Sequence, residues 1–294
     1  SETRLKTYIK KELRVILEEF GDKRRCQITS DVISAQAFSD QDMMPAENVT
    51  VVLSEKGWVK AAKGHEIDSS ALNYKSGDAF LKDAKGRSNK MAFFIDSSGR
   101  SYTLLANSLP SARGQGEPLT GRLTPPIGAE FIDVVMGDDE QLVILSSDAG
   151  YGFISTLGDL QSKTKSGKHA ITLSKEAKTM RLTKVQNLES DYLAVITNRA
   201  RLLIFQVSEL PHLSKGKGNK LINIKTDDFV AKEEFLIGLC IIKENQKLRV
   251  EYGNGKKHKQ YSFSDLVNFT SHRARKGLTV PGVHGKALGI DAID

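Results

Sequence analysis

Apolar positions fall into two regimes along this chain of 294 residues. Over residues 1–20, Leu5, Ile9, Leu13, Ile16 and Phe20 recur every three or four positions with charged residues between them. That spacing predicts an amphipathic helix, and Gly21 is a natural stop for it. From Asn48 onward, apolar runs of four to six residues are bounded by glycines and polar turn residues, which predicts β-strands. Residues 21–46, ending near Pro45, keep neither period and predict a linker. The last stretch, PGVHGKALGIDAID, is glycine-rich and then apolar at Leu288, Ile290 and Ile293, leaving a closing strand and a frayed tail both open.

The strand region repeats. Strand–turn–strand units centre on Gly57, Gly99, Gly150, Ala200 and Gly255, and each is followed 10 to 15 residues later by a leucine: Leu72, Leu109, Leu160, Leu210 and Leu266. A glycine-containing loop follows every leucine: NYKSGD at 73–78, SARGQGEP at 111–118, SKTKSGKH at 162–169, SKGKGNK at 214–220 and SHRARKG at 271–277. Turns 42 to 55 residues apart are the signature of a radial array of small antiparallel sheets. Further strand candidates at Phe131–Met136, 180–185 and 235–242 bring each repeat to about four strands. The run FLIGLCII at 235–242 is apolar on both faces and is expected to be fully buried. Trp58 is expected in the core. The fold class is therefore all-β, preceded by one N-terminal helix.

Charge adds a function class. Lysine and arginine number 43 against 36 acids, a net +7, and the excess is clustered on the repeated loops. Glycines between lysines let backbone approach a phosphate while the ammonium groups neutralise it. The candidate nucleic-acid contacts are Lys75, Arg113, Lys165, Lys168, Lys215, Lys217, Lys220, Arg273, Arg275 and Lys276 on the loops. Arg100, Arg199, Arg201 and Lys256 at the turns either extend that track or face solvent. Few aromatics interrupt the loops, which predicts phosphate contact without base readout. A protein-interaction scaffold, the common use of propellers, is the alternative; it does not account for cations on the same loop of successive repeats.

Other chemistries find little to stand on. Six histidines are scattered without a metal-ligand spacing, and no nucleophile elbow or P-loop occurs. The GxG of SARGQGEP and SKGKGNK lacks the strand–loop–helix context of a dinucleotide site. Cys26 and Cys240 are far apart with no CxxC, which fits a reducing compartment without a disulfide framework. No run approaches the length of a membrane span.

The stretches GWVKAAKGHEIDSSALNYKSGD, GRSYTLLANSLPSARGQGEPLTGRL, SDAGYGF and SELPHLSKGKGNKLINI resemble the C-terminal domain of bacterial type IIA topoisomerase A subunits, in the topoisomerase IV branch. The gyrase branch carries a QRRGGKG box in its first repeat; here residues 73–78 hold one lysine and no Gln-Arg-Arg, which argues against strong chiral wrapping. The resemblance implies a five-bladed β-pinwheel over 47–294, in which four-stranded blades exchange strands. It also implies that helix 1–20 ends a breakage–reunion region, the other reading being a helix packed on the ring. It implies duplex DNA as partner, an A2B2 assembly in which two such A chains join two topoisomerase IV B subunits, and no small-molecule substrate. ATP and Mg2+ are used through the B subunits, with no cofactor or catalytic residue in this stretch. The location it implies is the cytoplasm, on the chromosome and loosely at the inner membrane face, with work in decatenation and chromosome segregation.

Overall fold

The computed structural model describes residues 1–22, 46–255 and 257–294. The chain divides into two compact units, Ser1–Ser39 and Asp40–Asp294. In the first, α1 (Glu2–Phe20) is the helix its period predicts, with no buried residue and with Leu5, Ile9, Leu13, Ile16 and Phe20 all exposed. The predicted linker falls mostly at 23–45, outside the described residues.

The second unit consists of short strands that follow the repeat. In chain order they are β1 (Asn48–Ser54), β2 (Trp58–Lys63), β3 (Phe80–Arg87), β4 (Met91–Asp96), β5 (Arg100–Leu105), β6 (Glu117–Pro118) and β7 (Phe131–Met136). Then come β8 (Leu142–Ser146), β9 (Tyr151–Thr156), β10 (Lys168–His169), β11 (Thr183–Lys184), β12 (Tyr192–Thr197), β13 (Arg201–Gln206) and β14 (Asn219–Lys220). The last are β15 (Leu236–Ile242), β16 (Lys247–Tyr252), β17 (Lys257–Ser262), β18 (Leu278–Thr279) and β19 (Ala287–Ile293).

Five antiparallel sheets result, ordered β3-β1-β2-β6, β10-β5-β4-β7, β11-β8-β9-β14, β15-β12-β13-β18 and β17-β16-β19. Each central hairpin turns at a residue with positive φ: Gly57, Gly99, Gly150, Ala200 or Gly255. The outermost strand of a blade is a two-residue piece lent by the next repeat: β6 pairs with β2, β10 with β5, β14 with β9, and β18 with β13. This is the strand exchange of a pinwheel. The fifth sheet departs from the four-stranded expectation: among the described residues no lent strand pairs with β17. Its third strand, β19, is the closing strand that the apolar tail left open, paired with β16 from Lys247↔Ile293 onward.

Apolar side chains of adjacent blades interdigitate into four core clusters, joining blades 1 and 2, 2 and 3, 3 and 4, and 4 and 5. Among the described residues no core cluster joins blade 5 to blade 1. The repeated leucine sits where a short helical segment follows the hairpin, and Leu109, Leu160, Leu210 and Leu266 are buried. Burying a leucine contributes roughly 1.5–3 kcal/mol. Leu72 in blade 1 is only half-buried.

Three expectations change. The 180–185 candidate narrows to β11, a two-residue pairing with β8. The FLIGLCII run does form β15, but only Leu236 and Ile242 are buried in it. The five residues between are half-buried because β15 is the inner edge strand of its sheet and borders the channel at the centre of the ring. Trp58 is half-buried and lies at the rim.

Candidate nucleic-acid interface

Directly after the repeated leucine the backbone leaves its own blade. In blade 2, the Pro110 carbonyl accepts from Ala61 N–H of β2 at 2.8 Å; in blade 4, the Pro211 carbonyl accepts from Ile154 N–H of β9 at 2.9 Å. The basic loop then runs along the neighbour's outer strand and ends as the lent strand. A glycine at positive φ makes that docking close. Gly218 has φ 73°, and a Cβ there would stand 2.3 Å from the Gly152 carbonyl oxygen. Gly116, Gly167 and Gly277 occupy the same place in their loops. Glycine is required at these points by the neighbouring blade, in place of the close phosphate approach predicted from sequence.

The residue following the turn receives the incoming loop. Arg100 Nη1 donates to the Ser166 carbonyl at 2.8 Å, and Arg201 Nη1 donates to the Lys276 carbonyl at 2.9 Å. Each of those carbonyls precedes the docking glycine of its loop. In blades 1 and 3 the same register holds an aromatic ring. Lys75 Nζ lies 4.8 Å from the Trp58 ring centroid, and Lys217 Nζ lies 4.0 Å from that of Tyr151. Such a cation–ring contact near the surface contributes about 0.5–1 kcal/mol and leaves the ammonium charge in place. The loop at 73–78 stays on its own blade, where the Lys60 ammonium donates to the Asn73 carbonyl.

Several of the predicted contacts already have partners within the domain. Arg201 is buried and ion-paired to Glu234, itself 2% exposed, so it is not a surface contact. Arg273 donates from Nε to the Glu209 carbonyl at 3.0 Å, and its backbone N–H donates to the Glu209 carboxylate at 3.0 Å. Lys168 Nζ donates to the Asp159 carbonyl. Arg199 is exposed but paired with Glu233 at 2.7 Å. Lys220 is half-buried and donates to Asn223 Oδ1 at 3.2 Å. Lys256 lies outside the described residues. Arg113, Lys165, Lys215, Lys217, Arg275 and Lys276 are exposed, and among the described residues none has an ion-pair partner. They come from the loops of repeats 2 to 5, docked on the outer strands of blades 1 to 4, so one rim carries them at successive stations.

Sequence reasoning did not single out Tyr151, Glu209 or Glu234. Aligning the residue after each turn gives Trp58, Arg100, Tyr151, Arg201 and Lys256, a register whose alternation of ring and guanidinium marks the anchor position. Nothing in the local sequence pairs Arg201 with Glu234.

Comparison with known proteins places this architecture. The DNA gyrase C-terminal domain, beta-propeller family matches residues 141–185 and 191–232, within blades 3 and 4. The Escherichia coli ParC C-terminal domain, a solved structure, superposes with a TM-score of 0.76 at 43% identity, covering 84% of this chain and 99% of that one. The chain belongs to the family of topoisomerase IV A subunits, as its C-terminal domain. The DNA topoisomerase 4 A subunit of Pseudomonas aeruginosa is 47% identical over 96% of this chain, and that of Escherichia coli is 43% identical over 96%. The chain spans 37% of the length of either relative. The topoisomerase IV assignment agrees with the short first loop, which holds Lys75 over Trp58 and carries no Gln-Arg-Arg.

Proposed function

We propose that this domain binds duplex DNA along its rim and bends it without reading sequence. The observation that carries the proposal is the set of exposed, unpaired cations on the loops of successive repeats, each loop set on its neighbour by the same glycine docking. A rim of that kind matches a curved phosphate backbone. Bending a short site costs on the order of 1–6 kcal/mol, offset by phosphate contacts and released counterions. In the longer protein the domain presents the transported DNA segment to the breakage–reunion core, favouring decatenation and supercoil relaxation during chromosome segregation. That protein works as an A2B2 assembly on the chromosome, with ATP and Mg2+ engaged through the B subunits. Helix α1 is the end of the breakage–reunion region and 47–294 the DNA-binding domain.

Two charge-matched variants test the rim. Reversing Lys215, Lys217 and Lys220 to glutamate lowers the net charge from +7 to +1, and reversing Lys6, Lys10 and Lys11 on α1 does the same. At physiological salt the Debye length is about 8 Å, so contacts on the rim outweigh distant charge. The loop variant is expected to bind duplex much more weakly and with a shallower salt slope, the helix variant to stay near wild type. Wild-type affinity should fall by roughly 10³-fold between 50 and 200 mM salt if six or more phosphates are neutralised. Equal losses in the two variants would show that the loops are not the DNA site.

A further inference from the structure

The inner strands β3, β7, β15 and β19, with residues 179–184 around β11, enclose a cavity of about 850 Å³ at the centre of the ring. That volume is within the range of small-molecule sites, roughly 300–1,000 Å³. Its walls differ in chemistry. The side contributed by blades 1 to 3 bears Lys82, Arg181 and Lys184, while blades 4 and 5 contribute Ile237, Leu239, Ile241 and Leu288.

On the basic side, burial and the nearby Lys82 both hold the Lys184 ammonium below its ordinary pKa. Both lysines line this one cavity, Lys82 from β3 and Lys184 from β11. Lys184 spends one N–H on the Met136 carbonyl at 2.6 Å and keeps two. Lys82 has no ion-pair partner among the described residues. Asp133 lies beside them but is buried, with its oxygens accepting from Val134 N–H at 3.0 Å and Leu182 N–H at 2.8 Å. Asp83 accepts from the Ser69 hydroxyl at 2.6 Å, and Lys85 and Asp291 complete the charged lining. Thr179 borders the same cavity, is 6% exposed, and has no partner for its hydroxyl. On the apolar side Leu288 is 46% exposed.

We propose that the central channel binds a small soluble amphipathic anion, its phosphate- or carboxylate-type head held by Lys82 and Lys184 and its apolar body against β15 and β19. The site is separate from the rim and does not depend on the DNA reading.

The 294-residue chain is titrated with 8-anilinonaphthalene-1-sulfonate, a sulfonate head on an aromatic body whose emission reports burial. One dye per folded chain is expected. Lys82→Gln and Lys184→Gln should each weaken binding about tenfold, the loss of one charge-assisted contact. Leu288→Glu, at an exposed position, should weaken it by placing a carboxylate on the apolar wall. The triple rim reversal of Lys215, Lys217 and Lys220 should leave it unchanged. Octyl phosphate should displace the dye, and vesicles of phosphatidylglycerol should not. Melting curves of each variant confirm folding. Binding equal to wild type in folded Lys82→Gln and Lys184→Gln variants, loss in the rim variant, or displacement by vesicles alone would overturn the proposal.

Discussion

Arg201 and Asp133 show how a charged residue inside this ring serves the fold. Arg201 fills its guanidinium with Glu234, the Lys276 carbonyl and the Asn223 carbonyl, and Glu234 also accepts from the Thr197 hydroxyl at 2.9 Å. Removing the cation leaves a buried carboxylate with the Thr197 hydroxyl but no counter-charge, which destabilises by about 3–5 kcal/mol. Arg201→Ala should therefore lower the unfolding midpoint sharply; unchanged stability with weaker DNA binding would return Arg201 to the interface. Asp133 behaves oppositely to a surface carboxylate. Burial pushes its pKa up to about 6, against the two N–H donors and the Lys82 and Arg181 charges that pull it down. The folded state then binds a proton that the unfolded chain, near 3.8, releases. Stability from this group is present at low pH and is lost as pH rises through about 6, a span of roughly 3 kcal/mol at most. In melting temperatures taken from pH 7 to 5, wild type should gain on Asp133→Asn as pH falls. A difference that is flat or moves the other way would contradict it.

At the scale of elements, local chemistry and long-range chemistry separate cleanly. The five hairpins were legible because each is closed within about fifteen residues by its own turn, and the leucine after each was legible because its distance from the turn is nearly fixed. The lent strands β6, β10, β14 and β18 were not, since two residues carry no period of their own and their pairing is settled by the neighbouring blade. The cations divide for the same reason: Arg113, Lys165 and Lys215 project from loops, whereas Arg100, Arg201 and Arg273 meet partners up to 75 residues away. The docking glycines link the two levels. Gly218→Ala introduces both a left-handed conformation, costing about 1–2 kcal/mol, and an impossible contact with Gly152. The loop must lift, so DNA affinity should fall although no charge is removed. Gly64→Ala is the control, since φ there is 85° but no atom lies within 4 Å of the new Cβ. It should cost about 1 kcal/mol and leave DNA affinity intact. Equal effects in both variants would mean that loop docking does not set the rim.

Over the whole ring the repeat has a consequence at its ends. Every lent strand moves one blade backward, so five repeats complete four blades and leave the fifth with three strands. The same count governs the interior, where the four core clusters join only consecutive blades. Among the described residues the outer edge of β17 has no strand partner, and its Lys257, His258 and Lys259 are exposed. Charged residues on an edge discourage addition of a foreign strand. Backbone amides covered by a lent strand open only when that loop detaches, while an uncovered edge exchanges with solvent from the native state. Native-state hydrogen exchange should therefore find the outward-facing amides of β17 far less protected than those of β2, β5, β9 and β13 where β6, β10, β14 and β18 pair with them. If the rim reading is right, bound duplex should slow exchange in the loops of repeats 2 to 5 and leave β17 as it was. Protection of β17 equal to that of the other outer strands in the free domain would mean that its edge is covered in solution.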